Sequence, residues 1–257
     1  MAYNKRQHFK KSFSNYIRLY GIMDCCGGDS HEALVRACRA LEGGCRMIQL
    51  RDKDDIPVED LLTCGRLVGH ECQHYGGVMI INDNVEAALE LSDIYCDGVH
   101  LGQNDMPIAE ARAILGDDMI IGATAHNIDE ALKAQADGAD YLGVGDIFGS
   151  ATKNDTMRTS IDTLREICHS VQIPVVAIGG INEDNILSLK GSGISGVAVS
   201  KALFGMPLPQ EFSDAESQFR NHSDYEDWAS DVRHGMIRNA AKNLYEKAKI
   251  ITAEDVL

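Results

Sequence analysis

The sequence lacks both a long apolar run and a regular cysteine framework. Its eight cysteines include no CxxC pair, so nothing indicates a disulfide-stapled secreted scaffold or a cysteine-based zinc site. No stretch approaches the roughly 20 apolar residues of a membrane span. Residues 1–14, MAYNKRQHFKKSFS, are polar and basic rather than signal-like. We therefore expect a cytoplasmic protein with reduced, buried thiols and no membrane association.

Positive charge is also scarce. The chain has 24 Lys and Arg against 39 Asp and Glu, a formal net charge of -15. An acidic balance of this size argues against nucleic acid or an anionic membrane as the principal partner. We expect small-molecule substrates, and any anionic substrate must be bound by a few local cations. Homo-oligomerisation stays open.

No linker rich in proline, serine or glycine divides the chain, and 257 residues suit one α/β barrel. Short apolar runs alternate with helical patterns, which is typical of parallel strands joined by helices. An open doubly wound sheet would carry a nucleotide fingerprint after its first strand, and none is there. The fold class is therefore predicted to be an α/β, (β/α)8 TIM barrel. Its strands are predicted at 17–23, 47–50, 78–81, 98–101, 119–123, 141–145, 175–178 and 196–199.

The flanks of the barrel differ from it in composition. We divide the chain into a polar N-terminal segment at 1–14, the barrel at 15–221 and a helical C-terminal extension at 222–257. The extension has one apolar helical stripe, which indicates either a terminal helix packed on the barrel or a subunit contact. The stripe consists of Ile237, Ala240, Ala241, Leu244 and Ala248.

Acidic residues follow the third and fourth predicted strands. Asp83 comes just after one strand and Asp105 shortly after the next. Parallel neighbours bring their carboxyl ends to one rim, where two carboxylates can share a divalent cation. The alternative is that both residues are helix N-caps, because helices are predicted to begin at Val85 and Pro107.

Cations and glycines follow other strands on the same predicted rim. Arg51 and Lys53 follow the second strand and Lys153 the sixth, a combination that suits a polyphosphate. The alternative is a solvated group of surface charges. Gly180 and Ser200 follow the last two strands, where barrels bind phosphate through backbone amides. There the alternative is that Gly179 and Gly180 only turn the chain.

Motifs at the strand ends resemble the thiamine phosphate synthase family, in order and over about residues 17–219. They are QLRDK (49–53), INDNVEAAL (81–89), DGVHLGQNDMP (97–107), IGATAH (121–126), ADYLGVGDIFGSATK (139–153), VVAIGGI (175–181) and GVAVSKAL (196–203). The resemblance implies a magnesium-dependent transferase. Its reaction joins 4-amino-2-methyl-5-hydroxymethylpyrimidine diphosphate to a thiazole phosphate, with release of diphosphate through a cation-like transition state.

The resemblance also implies roles for individual residues. Magnesium would be bound by Asp83 and Asp105. The pyrimidine diphosphate would be contacted by Gln49, Arg51, Lys53, Asn82, Thr124 and Lys153, and the thiazole phosphate by Ser150, Thr152, Gly180, Val199 and Ser200. The implied catalytic residues, which stabilise the departing diphosphate, are Arg51, Lys53, Thr124 and Lys153.

The sequence departs from the family pattern at several of these loops. The departures are Asn84 for a usual Arg, Thr124 for Ser, Asp146 and Gly149 for prolines, Ser150 for Thr, and an eighth strand that ends one residue early. Two other functions remain open. One is a thiazole tautomerase of the same fold, which would have no diphosphate to bind, and the other is a catalytically silent phosphate-binding protein.

Overall fold

Short apolar runs that end in glycine or polar residues form the strands of this protein. The computed structural model describes residues 4–149, 158–206 and 225–252, the last range with side chains from 230 onward. The strands are β1 Leu19–Asp24, β2 Met47–Arg51, β3 Val78–Asn82, β4 Gly98–Leu101, β5 Ile120–Ala125, β6 Tyr141–Val144, β7 Val175–Ile178 and β8 Gly196–Val199. The helices are α1 Lys5–Ile17, α2 Ser30–Glu42, α3 Val58–His74, α4 Val85–Glu90, α5 Ile108–Leu115, α6 Ile128–Ala136, α7 Ile161–Ser170, α8 Lys201–Phe204 and α9 Tyr225–Thr252, with 3₁₀ turns at Cys26–Gly28 and Ile186–Leu189.

Each strand pairs in parallel with the next, and β1 closes the ring against β8. In that closing pair Leu19 lies opposite Val197 and Gly21 opposite Val199. The predicted (β/α)8 barrel is therefore confirmed. Because all strands run the same way, the residues that follow them meet at one rim, as in other barrels of this class.

Apolar side chains fill two separate layers. The larger cluster lies between the strands and the surrounding helices. The smaller lies inside the barrel and includes Tyr20, Met47, Ile80 and Tyr141. Every strand is thus buried on both faces, which explains why the strands appear in the sequence as continuous apolar runs rather than as alternating ones.

The N-terminal segment is not merely polar, as its composition suggested, but contains α1. Phe9 is only 1% exposed and belongs to the interior cluster, with its ring 6.0 Å from that of Tyr141. Arg6 Nε lies 2.6 Å and Lys10 Nζ 3.0 Å from Oδ1 of the buried Asp140. The helix therefore closes the amino-terminal end of the barrel, and its basic residues neutralise a buried carboxylate.

The C-terminal extension contains α9, which packs on the barrel of its own chain beside α2 and the 3₁₀ turn at Ile186–Leu189. Ala241, Leu244 and Ala248 are fully buried. Of the two alternatives for the apolar stripe, the packed terminal helix is the one that the structure shows. A side chain at Gly43 would overlap Ala241, so the absence of one lets α9 approach α2.

Some predicted boundaries were wrong. Strand β1 begins at Leu19 rather than at residue 17, and strand β5 continues to Ala125 and so includes Thr124. All eight cysteines are free, and five are buried as expected, whereas Cys26, Cys38 and Cys168 are only partly buried. Among the described residues, no helix combines the length and the apolar character that a membrane crossing requires.

Substitution of Gly43 tests the packing of α9. A Cβ there would overlap Ala241 and lie 2.5 Å from the Arg238 carbonyl oxygen, so we expect Gly43→Ala to destabilise the protein by about 1–3 kcal/mol. Gly235 on α9 has nothing within 4 Å of a Cβ, so Gly235→Ala should instead stabilise it by about 0.5–1 kcal/mol. Urea unfolding of the two variants measures both effects. Equal stability of Gly43→Ala and the parent would contradict this packing.

Asp97, in the turn before β4, should make stability depend on pH. Burial raises its pKa from 3.8 to about 6, although the Met79 N–H donates to Oδ2 at 2.8 Å. The folded protein therefore binds a proton between about pH 4 and pH 6 that the unfolded chain does not. This contribution to stability is present at low pH and is lost as the pH rises through 6.

Asp97→Asn keeps an acceptor for the Met79 N–H and removes the titration. We expect the parent, relative to this variant, to lose stability between pH 4.5 and pH 7, by about 1 kcal/mol or more. Urea unfolding at both values measures the difference. The exposed Asp93 in the same turn provides the control, Asp93→Asn. Parallel pH profiles for the parent and Asp97→Asn would rule out the titration.

Candidate active site

A cleft of about 470 Å³ opens at the carboxyl-terminal rim of the barrel. Its walls come from strand ends and loops on opposite sides of the closed sheet. The lining residues that bear on function are Arg51, Thr124, His126, Asp146, Gly179, Gly180, Asn182, Val199, Ser200 and Lys201. The cleft thus collects residues from β2, β5, β6, β7 and β8, which only barrel closure brings together.

Two cations that line this cleft have no carboxylate partner among the described residues. Arg51, at the end of β2, and Lys201, at the start of α8, form no ion pair with any carboxylate in the described part of the chain. Lys53 differs, because its ammonium group pairs with Oδ2 of Asp24 at the end of β1. A cation without a partner in a cleft is poised for an anionic ligand.

Asp83 and Asp105 lie at the tips of neighbouring strands. The Asp83 N–H donates to the His100 carbonyl oxygen of β4 at 2.9 Å. The Gly102 N–H, just beyond β4, donates to Oδ2 of Asp105 at 2.6 Å. Both carboxylates are therefore at the same rim, on the side of β3 and β4. Asp83 is exposed and has a φ of 63°, in the left-handed region that Asp tolerates better than most residues.

The alternative that these aspartates are helix N-caps was wrong. Asn84 caps α4, since its side chain accepts from the Ala87 N–H at 2.9 Å, and α5 begins after Pro107 without a side-chain cap. The described residues contain no group of three or more metal-ligating side chains. Two carboxylates nevertheless fit Mg²⁺, which is commonly held by one or two carboxylates, water and substrate phosphates.

The glycines after β7 have a conformational reason to be glycine. Gly179 and Gly180 have φ values of 105° and 62°, and a Cβ on Gly180 would lie 2.5 Å from the Gly149 carbonyl oxygen. They turn the chain and also line the cleft. The two interpretations given by the sequence are therefore compatible, and backbone here lies close to any bound ligand.

A chain of hydrogen bonds crosses the barrel interior beneath the cleft. Gln49 Nε2 donates to the Tyr20 hydroxyl, which lies 2.9 Å from the Tyr141 hydroxyl. The Tyr141 hydroxyl is 3.0 Å from His100 Nδ1, and His100 Nε2 is 3.0 Å from Thr124 Oγ1. Burial raises the pKa of both tyrosines far above 10, so both phenols stay protonated.

The sequence-predicted residues separate into three groups in the structure. Those that line the cleft are Arg51, Thr124, Gly180, Val199 and Ser200. Gln49 is 2% exposed beneath it, whereas Lys53, Asn82, Asp83 and Asp105 are elsewhere on the rim. Ser150, Thr152 and Lys153 lie outside the described residues.

Three further residues were not singled out by the sequence. Lys201 follows β8 directly, and its position after a strand end was the available signal. Tyr20 and Tyr141 were counted as strand residues only, and an aromatic hydroxyl within an apolar run gives no clue to its partner. Asp146, which the sequence did mark as a departure from the family pattern, also lines the cleft, and its side chain accepts from the Gly149 N–H at 3.0 Å.

Comparison with known proteins places this geometry in a family. A family model described as thiamine monophosphate synthase matches residues 19–203. The thiamine-phosphate synthase of Nitrosospira multiformis is 44% identical over 188 residues, 73% of this chain and 78% of that protein. The thiamine-phosphate synthase of Fusobacterium nucleatum is 43% identical over 183 residues, 70% of this chain and 85% of that protein.

Solved structures with similar folds include a protein of the same family. A thiamine phosphate pyrophosphorylase from Pyrococcus furiosus has a TM-score of 0.72 and 30% identity, and the match covers 93% of this chain and 99% of that one. A (S)-3-O-geranylgeranylglyceryl phosphate synthase from Thermoplasma acidophilum has a TM-score of 0.61 at 14% identity, over 96% and 99% of the two chains. That second likeness shows the fold alone.

Arg51 and Lys201 indicate where the cleft binds anions. We expect Arg51→Gln to weaken binding of inorganic pyrophosphate and Lys201→Gln to weaken binding of inorganic phosphate, each about tenfold, because each removes a charge-assisted contact. Isothermal titration calorimetry measures the dissociation constants. Lys133→Gln is the matched control, since Lys133 pairs with Asp137 on the outer surface of α6. Unchanged affinity in both cleft variants would show that the anions bind elsewhere.

Proposed function

The chain belongs to the thiamine monophosphate synthase family, and from that premise we propose that it joins a pyrimidine diphosphate to a thiazole phosphate. It is a transferase of thiamine biosynthesis. In the proposed reaction the bond between the pyrimidine methylene carbon and the diphosphate oxygen breaks, and its electron pair leaves with diphosphate. The thiazole nitrogen then forms the new carbon–nitrogen bond, which gives thiamine phosphate.

One observation carries the proposal: a single cleft is lined by residues that the resemblance assigns to two different substrates. Arg51 and Thr124 belong to the diphosphate set, and Gly180, Val199 and Ser200 to the thiazole phosphate set. Two reactants held side by side react as if in one molecule, which removes much of the entropic barrier to their encounter. A protein that bound only the thiazole phosphate would have no use for the first set.

On the diphosphate side, the chain's own donors stabilise the leaving group. Arg51 offers forked N–H donors without a competing carboxylate in the described residues, and Thr124 offers a hydroxyl. Lys53 adds a charge once a phosphate oxygen replaces Asp24 as its partner. Negative charge grows on diphosphate as the bond breaks, so donors aimed at it bind the transition state more tightly than the substrate.

Asp83 and Asp105 are the residues that would hold Mg²⁺ in this proposal. When bound, the ion would supply further charge stabilisation to the departing diphosphate. Asn82 donates to Oδ2 of Asp83 and so helps to fix that carboxylate. The Gly102 N–H does the same for Asp105 at 2.6 Å. Both carboxylates are therefore oriented by neighbours on their own strand ends.

On the thiazole side, the residues bind and orient. Backbone at Gly180 and Val199 and the hydroxyl of Ser200 are suited to phosphate oxygens, and Lys201 adds the charge that these neutral groups lack. The attacking nitrogen carries a lone pair and no proton, so the step needs orientation rather than a general base. This side of the cleft therefore determines which nucleophile reaches the methylene carbon.

A direct assay tests the reaction. Purified protein with both substrates and Mg²⁺ should form thiamine phosphate and diphosphate in equal amounts. Chromatography measures both products. The thiazole tautomerase alternative predicts interconversion of thiazole isomers without use of the pyrimidine diphosphate, and the silent-protein alternative predicts neither change. Either of those results would refute the transferase proposal.

Substitutions of Asp83 and Lys153 test the proposed site. We expect Asp83→Asn and Lys153→Ala to lower kcat at least about a hundredfold, because the first weakens the proposed Mg²⁺ site and the second removes a cation proposed to contact the diphosphate. Circular dichroism should show an intact fold in both. Asp129→Asn is the control, because Asp129 is an exposed carboxylate in the first turn of α6. Parent-like turnover in either variant would remove that residue from the proposed site.

A further inference from the structure

The strands of the barrel leave space for the buried hydrogen-bond chain from Gln49 to Thr124. A Cβ on Gly122 would overlap the Tyr141 ring, and one on Gly143 would lie 3.2 Å from His100 Cε1. Glycine on β5 and β6 therefore makes the room that these two rings occupy. Tyr20 and Tyr141 are 2% and 0% exposed, so no bulk water reaches their hydroxyls.

The number of available protons determines which group donates in each bond of this hydrogen-bond chain. Each neutral phenol has one proton, and the Tyr20 oxygen already accepts from Gln49. If Tyr141 donated to Tyr20, the Tyr20 proton would be buried without an acceptor among the contacts of its hydroxyl, which costs the full desolvation of that group. All protons are used only when Tyr20 donates to Tyr141 and Tyr141 donates to His100 Nδ1.

This direction determines the state of His100 and of Thr124. Nδ1 accepts a proton from Tyr141, so in the neutral ring the histidine proton is on Nε2. Nε2 then donates to Thr124 Oγ1 across 3.0 Å. Because the threonine oxygen accepts this bond, its own proton is left to be donated, and Thr124 lines the cleft.

We propose that Gln49, Tyr20, Tyr141 and His100 act as positioning residues that hold the Thr124 hydroxyl as a hydrogen-bond donor to the anionic group of the substrate. This inference rests on the proposed function for the identity of that group, a diphosphate. A hydroxyl turned the other way would present lone pairs to negative charge and would repel it. A threonine hydroxyl can either donate or accept a hydrogen bond. The hydrogen-bond chain thus leaves the Thr124 hydroxyl to act towards the substrate as a donor.

The tautomer of His100 can be measured without any substrate. Side-chain ¹⁵N NMR of the labelled protein, with the signals assigned by their loss in His100→Asn, should show a protonated Nε2 and an unprotonated Nδ1. In Tyr141→Phe that preference should weaken, because Nδ1 loses its donor. A proton on Nδ1 in the parent, alone or together with one on Nε2, would overturn the proposal.

A double-mutant cycle tests the effect on catalysis. We expect Tyr141→Phe to lower kcat about tenfold when Thr124 is present, but by about twofold or less in the Thr124→Val background. Thr124→Ser keeps the hydroxyl and should retain most of the activity. Equal losses from Tyr141→Phe in both backgrounds, or no loss in the parent, would show that Tyr141 does not act through Thr124.

Two controls separate this inference from folding and from the proposed reaction. Tyr95→Phe removes a hydroxyl that is not part of the hydrogen-bond chain and should leave kcat unchanged. If Tyr141→Phe does not fold, Tyr20→Phe takes its place in the cycle. If the parent forms no thiamine phosphate, the proposed function fails while the NMR measurement still decides the tautomer. If it turns over but His100 has the opposite tautomer, only the positioning role fails.

Discussion

The pairing of β1 with β8 is the constraint on which the rest of the site depends. It places Gly21 beside Val199 and so brings the loops after β7 and β8 to the same cleft as Arg51. In an open sheet these residues would lie at opposite edges, several strand spacings apart. A closed ring leaves limited space for the side chains that point into it, and glycine on a strand makes room for a larger neighbour. A Cβ on Gly122, for example, would overlap Tyr141.

The interior of the barrel shows how a buried polar group can be tolerated. A single phenol in an apolar ring of side chains would be destabilising, but the hydroxyls of Tyr20 and Tyr141 are partners 2.9 Å apart. The chain they form must end somewhere that is not apolar. One end is the Gln49 amide and the other is Thr124 at the cleft. Every hydroxyl in this hydrogen-bond chain therefore has a polar partner, although the chain runs through an apolar interior.

Strand order and the rim residues could be predicted because short apolar runs end in polar residues, as at Asp83 and Asp105. Boundaries failed where that contrast is weak: Thr124 and Ala125 are small, so the end of β5 was placed too early. Phe9 and Ile17 are the buried residues of α1, but basic residues around Phe9 obscured the helix, and Ile17 was assigned to the first strand. The contact between Tyr20 and Tyr141 joins positions 121 apart. Strand pattern alone does not show which inward-facing side chains meet, because that depends on tilt and register around the ring.

A net charge of -15 makes local arrangement more important than overall attraction for an anionic substrate. With 39 acidic residues available, two cleft cations without ion partners in the described chain represent charge that the fold leaves uncompensated. Lys53 is different, because Asp24 already compensates it. An arriving diphosphate therefore gains from Arg51 at once and from Lys53 only after exchange with Asp24. Asp24 Oδ1 is buried without a hydrogen-bond partner in the described chain, so this carboxylate depends on Lys53 and the exchange has a cost. Arg51 should thus govern capture of the diphosphate, and Lys53 should contribute as charge develops on the leaving group.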